Sequence, residues 1–150
     1  MSIDINDIKN LRKLTGAGVL DVKMALENAD GDFEEAKKEL VVKGVVKAAK
    51  KSERVAKDGL VYSYIHGNGK LGAMVLVACE TDFVAKTDDF QKLCKELAMQ
   101  VCTGEYANVE ELLSDEYMRD SSKTVADIVT ATVAKLGEKI EVRYFAKLAV

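Results

Sequence analysis

Through residues 4–43 the apolar positions recur three and four apart, the spacing that lines one face of an α-helix. A first helix carries Ile5, Ile8, Leu11 and Leu14. It stops at Thr15-Gly16-Ala17-Gly18, where glycine permits the left-handed backbone of a helix end. A second helix places Val19/Leu20, Val22, Met24, Ala25 and Leu26 on apolar positions and ends in the turn Asn28-Ala29-Asp30-Gly31. Asp32 then caps a third, with Glu35 three residues on in a capping-box-like arrangement. That helix turns Phe33, Ala36 and Leu40 inward, and Gly44 is its expected stop. Three short helices make a bundle that is marginal alone, of the kind that presents a surface to a partner.

From Gly59 the period changes to two. Leu60–Ile65 and Leu71–Cys79 are strand-like, and His66-Gly67-Asn68-Gly69 between them is a hairpin turn. The second of these strands is apolar on both faces, as a central strand is. A helix follows from Thr87 or Asp88 to Val101, with Phe90, Leu93, Cys94, Leu97, Ala98 and Val101 as its inward stripe. A short helical piece lies within Asn108–Tyr117, and a further helix within Ser121–Leu136, capped at Ser121 or Ser122 and stopped by Gly137. The last strand, Ile140–Val150, alternates Ile140, Val142 and Tyr144 against Glu141, Arg143 and Phe145. The fold class is α+β: a three-helix module, then a small antiparallel sheet with helices packed on it. The expected division is 1–43 for the module, 44–58 for a basic helical linker and 59–150 for the core domain.

Composition narrows the chemistry. A net charge of −3 over 150 residues argues against a general nucleic-acid binder, and no direct nucleic-acid partner is expected. No apolar run reaches the ~20 residues that span a bilayer. The start, MSIDINDIKN, is acidic and polar, unlike a signal or transit peptide, so a cytoplasmic protein without membrane contact is expected. The three cysteines, Cys79, Cys94 and Cys102, have no CxxC spacing and read as buried reduced thiols. His66 is the only histidine and sits in a turn, which leaves little from which to build a nucleophilic triad or zinc site. The loop GNGKLG at 67–72 lacks the P-loop pattern and opens no helix, so it has no phosphate-binding geometry. Glu80, Asp82, Asp88 and Asp89 match no calcium-loop spacing, and caps and turns account for each aspartate. No enzyme activity, cofactor or metal site is expected.

Two features leave alternatives open. Lys43, Lys47, Lys50, Lys51, Arg54 and Lys57 form one positive stripe if 44–58 is helical, either a solvated face or a patch for an acidic partner or nucleic acid. Phe83 follows Glu80-Thr81-Asp82 at a strand-to-helix corner. Its ring either folds back into the core or stands out as a rigid anchor for another protein.

Four blocks occur in order along essentially the whole chain. They are Leu11-Arg12-x-x-Thr15-Gly16-Ala17-Gly18-x-x-Asp21-x-Lys23-x-Ala25-Leu26, Asp30-Gly31-Asp32, Lys47-Ala48-Ala49-Lys50-Lys51 and Glu80-Thr81-Asp82-Phe83-Val84-Ala85-Lys86. Together they resemble the translation elongation factor Ts family, in a short form with a single core half. The resemblance implies a ubiquitin-associated-like N-terminal module and guanine-nucleotide exchange on elongation factor Tu during protein biosynthesis. It gives Thr81, Asp82, Phe83 and Val84 the disturbance of the partner's Mg²⁺ site, with Phe83 as wedge. Lys9, Arg12, Val19 and Leu20 would dock the module, the last two standing where relatives commonly carry Met-Met. Because many relatives have a second core half, the resemblance also implies a homodimer, with Tyr144, Phe145 or the terminal strand at the interface.

Overall fold

The computed structural model describes residues 3–150. Three helices come first: α1 (Ile5–Thr15), α2 (Val19–Asn28) and α3 (Phe33–Lys50). They close on a small core of Leu11, Val22, Ala25, Leu26, Ala36 and Leu40. Asp32 caps α3 by accepting from the Glu35 N–H at 2.9 Å. The Glu35 side chain reaches Lys38 instead of returning to the cap, so only one arm of a capping box exists.

Gly44 does not end α3. The helix continues to Lys50 because Gly44 faces the later helix α7 (Val125–Leu136). A Cβ at residue 44 would stand 3.2 Å from the Ala134 Cβ. Glycine is there for close approach between two helices, and the helix pays its entropic penalty for that contact. Gly16 serves both purposes at once. It closes α1 at φ 69°, and a Cβ there would lie 2.8 Å from the Lys135 backbone. The three-helix module is thereby seated on α7, with a Lys47–Asp21 ion pair of 2.9 Å inside it. The expected helical stripe also stops short: Arg54 and Lys57 lie beyond the last turn of α3.

The remaining elements are β1 (Asp58–His66), β2 (Leu71–Cys79), α4 (Asp82–Ala85), α5 (Asp88–Thr103), α6 (Val109–Ser114), β3 (Glu116–Tyr117), β4 (Asp120–Thr124), α7 and β5 (Ile140–Ala149). β2 is the central strand of an antiparallel sheet of order β1-β2-β5, which explains its two apolar faces. α5 covers one face, burying Phe90, Leu93, Cys94, Leu97, Ala98 and Val101 against Ala73, Val75, Val77 and Cys79. Thr87 caps α5, accepting from the Phe90 N–H at 3.2 Å.

Two expectations are corrected in this half. Residues 120–124 are not the first turn of α7 but β4, paired with β3 in a small ribbon. The helix starts where Thr124 and Asp127 form a true capping box, so Ser121 and Ser122 are not its cap. In β5 the simple alternation fails because a bulge at Arg143 shifts the register between Leu76/Val77 and their partners. The extra residue turns Tyr144 outward and Phe145 inward, where it meets Tyr106 edge-on at 6.3 Å. The displaced Arg143 donates to the Ala56 carbonyl at 2.7 Å.

The ribbon is pinned to α5 by buried polar groups. Gln100 donates to Tyr106 and to the Glu116 carbonyl at 3.1 Å, and accepts from the Met118 N–H at 2.9 Å. Glu96 accepts from Tyr117 and Arg119. Burial alone would raise its pKa, but these two partners carry it below the ordinary carboxylate value.

All three cysteines are buried and free. Burial pushes the Cys79 thiol from the ordinary 9.0 up to about 11, with the Glu138 and Asp58 carboxylates adding to the shift, and Cys94 to about 12. Both are therefore protonated and unreactive near neutrality.

Two measurements follow from this packing. Gly44→Leu forces a side chain between α3 and α7 and lowers stability by about 1–3 kcal/mol, read as the urea midpoint. An unchanged midpoint would show that the helices do not meet there. Because the folded thiols hold their protons to higher pH than the unfolded ones, their contribution is complete below pH ~9 and declines as pH rises toward the folded pKa. Urea midpoints between pH 8 and 10.5 fall more gently in Cys79→Ala than in the parent protein.

Candidate functional site

The corner after β2 is built by burial on one side of a single helical turn. The last ladder pair of the central strand is Cys79 with Ile140. Beyond it Thr81 is extended at φ −132°, ψ 155° and caps α4, a helix of four residues. Ala85 is buried in the main core and Val84 packs against it. Successive helical residues are 100° apart, so a residue two before Ala85 points roughly the opposite way. That residue is Phe83. Its side chain is 80% exposed, which decides between the two readings of the sequence: the ring stands in solvent.

Each neighbour is held. The Thr81 hydroxyl accepts from the Val84 N–H at 3.4 Å and donates to Glu138 at 2.9 Å. The Thr81 N–H donates to the same carboxylate at 3.1 Å. Below them the Cys79 thiol donates to the Thr81 carbonyl at 3.2 Å. Asp82 and Lys86, one turn apart, pair at 2.7 Å in solvent. That hydrogen bond, with the charge behind it, holds the Asp82 carboxyl below its ordinary value. On the far side the Thr87 hydroxyl donates to the Val84 carbonyl at 2.7 Å while capping α5. One threonine therefore joins the two helices, and the aromatic sits on a short turn braced at both ends.

The carboxylates near this corner have separate occupations. Glu80 accepts from the Lys139 N–H at 2.8 Å, and Asp89 pairs with Lys135 at 2.9 Å. Among the described residues no group of three or more His, Cys, Asp or Glu could hold a metal ion. No helix among them is long and apolar enough to cross a membrane.

The other candidate residues lie elsewhere. Lys9 and Arg12 are exposed on α1, three apart, with no ion-pair partner among the described residues. Val19 and Leu20 open α2 and point to solvent, Leu20 at 76% exposure, with Met24 exposed one turn on. Here α1 and α2 pack on α3 and on each other, whereas α4 packs on β1, β2 and α5. Thr81–Val84 and Lys9–Leu20 are thus two separate surfaces on one body, linked through α7, and the structure does not merge them into one cluster. Sequence reasoning missed Glu138 and Lys139 at the corner. Glu138 is 57 residues from Thr81, and nothing in the local pattern after Gly137 signals that contact.

Comparison with known proteins agrees with the resemblance carried by the four blocks. The profile of a family described as Elongation factor TS matches residues 80–150, which include the whole Thr81–Val84 turn. A protein of Petrotoga mobilis named Elongation factor Ts is 37% identical over 195 residues, covering 100% of this chain and 99% of its own length. That alignment is longer than the present chain, so this relative carries residues without a counterpart here. One of the same name from Coprothermobacter proteolyticus is 38% identical, with 98% of each chain covered. One from Clostridium kluyveri is 47% identical over 143 residues, yet this chain spans only 47% of its length. A relative matched along almost its full length at such identity shares this fold and its ancestry, and the chain belongs to the elongation factor Ts family.

Proposed function

We propose that this protein binds elongation factor Tu carrying GDP and promotes loss of the nucleotide during translation elongation, acting in the cytoplasm as an exchange factor and not as an enzyme. The observation that carries the reading is the solvent-facing Phe83 on a braced helical turn, in a chain whose relatives are named Elongation factor Ts. An aromatic ring held rigid before binding loses little freedom when a partner encloses it, and such anchors dominate interface energetics. Phe83 enters between helices of the partner's GTP-binding domain, with Thr81, Asp82 and Val84 around it, and displaces groups that hold Mg²⁺ and the phosphates.

Magnitudes require a second contact. Exchange is a coupling in which factor and nucleotide weaken each other's binding equally. Loosening GDP ten-thousand-fold takes about 5.5 kcal/mol. Burying one phenylalanine returns about 1.5–3 kcal/mol. The remainder comes from the separate surface of Lys9, Arg12, Val19 and Leu20, which grips another part of the same partner. Because the module is seated on α7, strain at one surface is opposed by binding at the other. This gives a functional meaning to the division into a three-helix module and a core, with the boundary expected at residue 43 moved to the end of α3 at Lys50.

The working form is a homodimer. The sheet face away from α5 is uncovered and apolar, with Val61, Ile65, Met74, Tyr144 and Leu148 exposed on three neighbouring strands. A shallow concavity of about 380 Å³ lies among Ile65, Met74 and Leu148. An exposed apolar face of this extent marks an interaction surface. The occupant is a second copy, since relatives such as that of Clostridium kluyveri are about twice as long and this chain spans 47% of that length. Tyr144 faces this interface, whereas Phe145, turned inward by the bulge, is excluded from it.

Stopped-flow release of fluorescent GDP from elongation factor Tu tests the activity. The protein accelerates release, and Phe83→Ala lowers the acceleration about ten- to a hundredfold through lost burial. Equal rates for Phe83→Ala and the parent protein would refute the wedge. Light scattering tests the assembly: the parent protein has twice the chain mass and Met74→Lys has the monomer mass. A monomeric parent at tens of micromolar would refute the dimer.

A further inference from the structure

Beyond Cys79 and Ile140 the β2–β5 ladder ends, yet the two chains stay tied through side chains. Glu80 at the end of β2 accepts from the backbone N–H of Lys139, 2.8 Å away, just before β5. Glu138, on the β5 side, accepts from the backbone N–H of Thr81 at 3.1 Å and from its hydroxyl at 2.9 and 3.0 Å. Each strand thus sends a carboxylate across to satisfy the other's backbone, where a further rung of the ladder would otherwise stand. α7 delivers Glu138 to this position by ending at Gly137, whose φ of 78° turns the chain back on the helix. Arg54 lies 3.4 Å from the Glu80 carboxylate and attaches the segment after α3 to the same junction.

We infer that Glu138 is a positioning residue for Phe83, with Glu80 as the reciprocal arm; this rests on the exchange reading above. The reason is the single proton of a hydroxyl group. Thr81 can cap α4 only if its oxygen lone pairs face the Val84 N–H. A carboxylate on the opposite side takes the hydroxyl proton and leaves the lone pairs so directed. The same carboxylate holds the Thr81 N–H and so fixes the extended backbone from which α4 starts. The helix is only one turn long and cannot persist through its own hydrogen bonds, because helix nucleation is unfavourable without outside contacts. Ala85 anchors its far end in the core, and Glu138 anchors its near end. Phe83 lies between those two supports.

The test compares Glu138→Ala, Glu138→Gln, Phe83→Ala and the double variant Glu138→Ala/Phe83→Ala, all as full chains. Both single changes at 138 remove the charge, but only alanine removes the acceptor. GDP release promoted by Glu138→Ala falls about tenfold, the loss of both hydrogen bonds to Thr81, while Glu138→Gln, which keeps an acceptor oxygen for them, retains most of the activity. In the Phe83→Ala background the Glu138→Ala change costs less than about twofold, because a positioning residue has nothing left to position. A loss equally large in both backgrounds would overturn the inference, since a general loss of stability acts regardless of Phe83. Native-state alkylation of Cys79, mapped by mass spectrometry, gives a readout independent of exchange. Its thiol is bonded to the Thr81 carbonyl and becomes reachable when the corner opens. Labelling is about tenfold faster in Glu138→Ala than in Glu138→Gln, and equal rates would overturn the inference. If the parent protein fails to release GDP, the exchange reading falls, and the alkylation arm still decides whether Glu138 holds the corner.

Discussion

Burial of Ala85 and Phe90 on either side of a single threonine governs the rest of this molecule. Ala85 closes α4 against the sheet, Phe90 opens the buried stripe of α5, and Thr87 bonds to both helices between them. With Ala85 committed to the core and Thr81 held at the start of α4, the turn has no freedom to hide Phe83. The hydrophobic effect that buries Ala85 forces Phe83 outward, because two residues along a helical turn face opposite ways. An exposed phenylalanine at a braced corner is a consequence of packing, and its rigidity comes from the same source.

The second structural theme is close helix contact. Gly44 and Gly16 both lie against α7, and side chains at either position would collide with it. This converts a three-helix bundle, too small to be robust alone, into part of a larger body with two separate surfaces. Under the proposed exchange reading, a factor that distorts a partner needs such a frame. If the two surfaces were joined by a slack tether, binding at one could not oppose strain at the other, and the coupling would be lost to chain entropy.

The uncovered sheet face completes the architecture. α5 supplies a cover on one side, while the opposite side leaves Val61, Met74, Tyr144 and Leu148 in solvent. Antiparallel sheets with one wet face ordinarily alternate apolar and polar residues. Here β2 is apolar on both faces, and the bulge in β5 adds Tyr144 to the outer side. The residues on that face are those of an interior, and a second copy would make it one.

The helices other than α4, the hairpin and the central place of β2 were legible in the sequence because each depends on periodicity or on a turn of a few residues. The four blocks that resemble the elongation factor Ts family were equally legible, and the comparisons agree with them. Other features depended on residues far apart in the chain. Gly44 looked like a helix stop because its contact, Ala134, lies in another helix. Ser121 and Ser122 looked like caps because nothing local shows that the segment Asp120–Thr124 pairs with Glu116 and Tyr117. Tyr144 and Phe145 exchanged faces through a bulge that only pairing with β2 reveals. The direction of Phe83 and the tie of Thr81 to Glu138 belong with these. Apart from α4, the β3–β4 ribbon and the end of α3, the sequence by itself determined which segments are helical or extended, and to which family they belong, since local spacing and composition carry that information. Only the tertiary structure decided which side chains face outward and what holds them there, because burial and long-range hydrogen bonds exist only once distant segments have met.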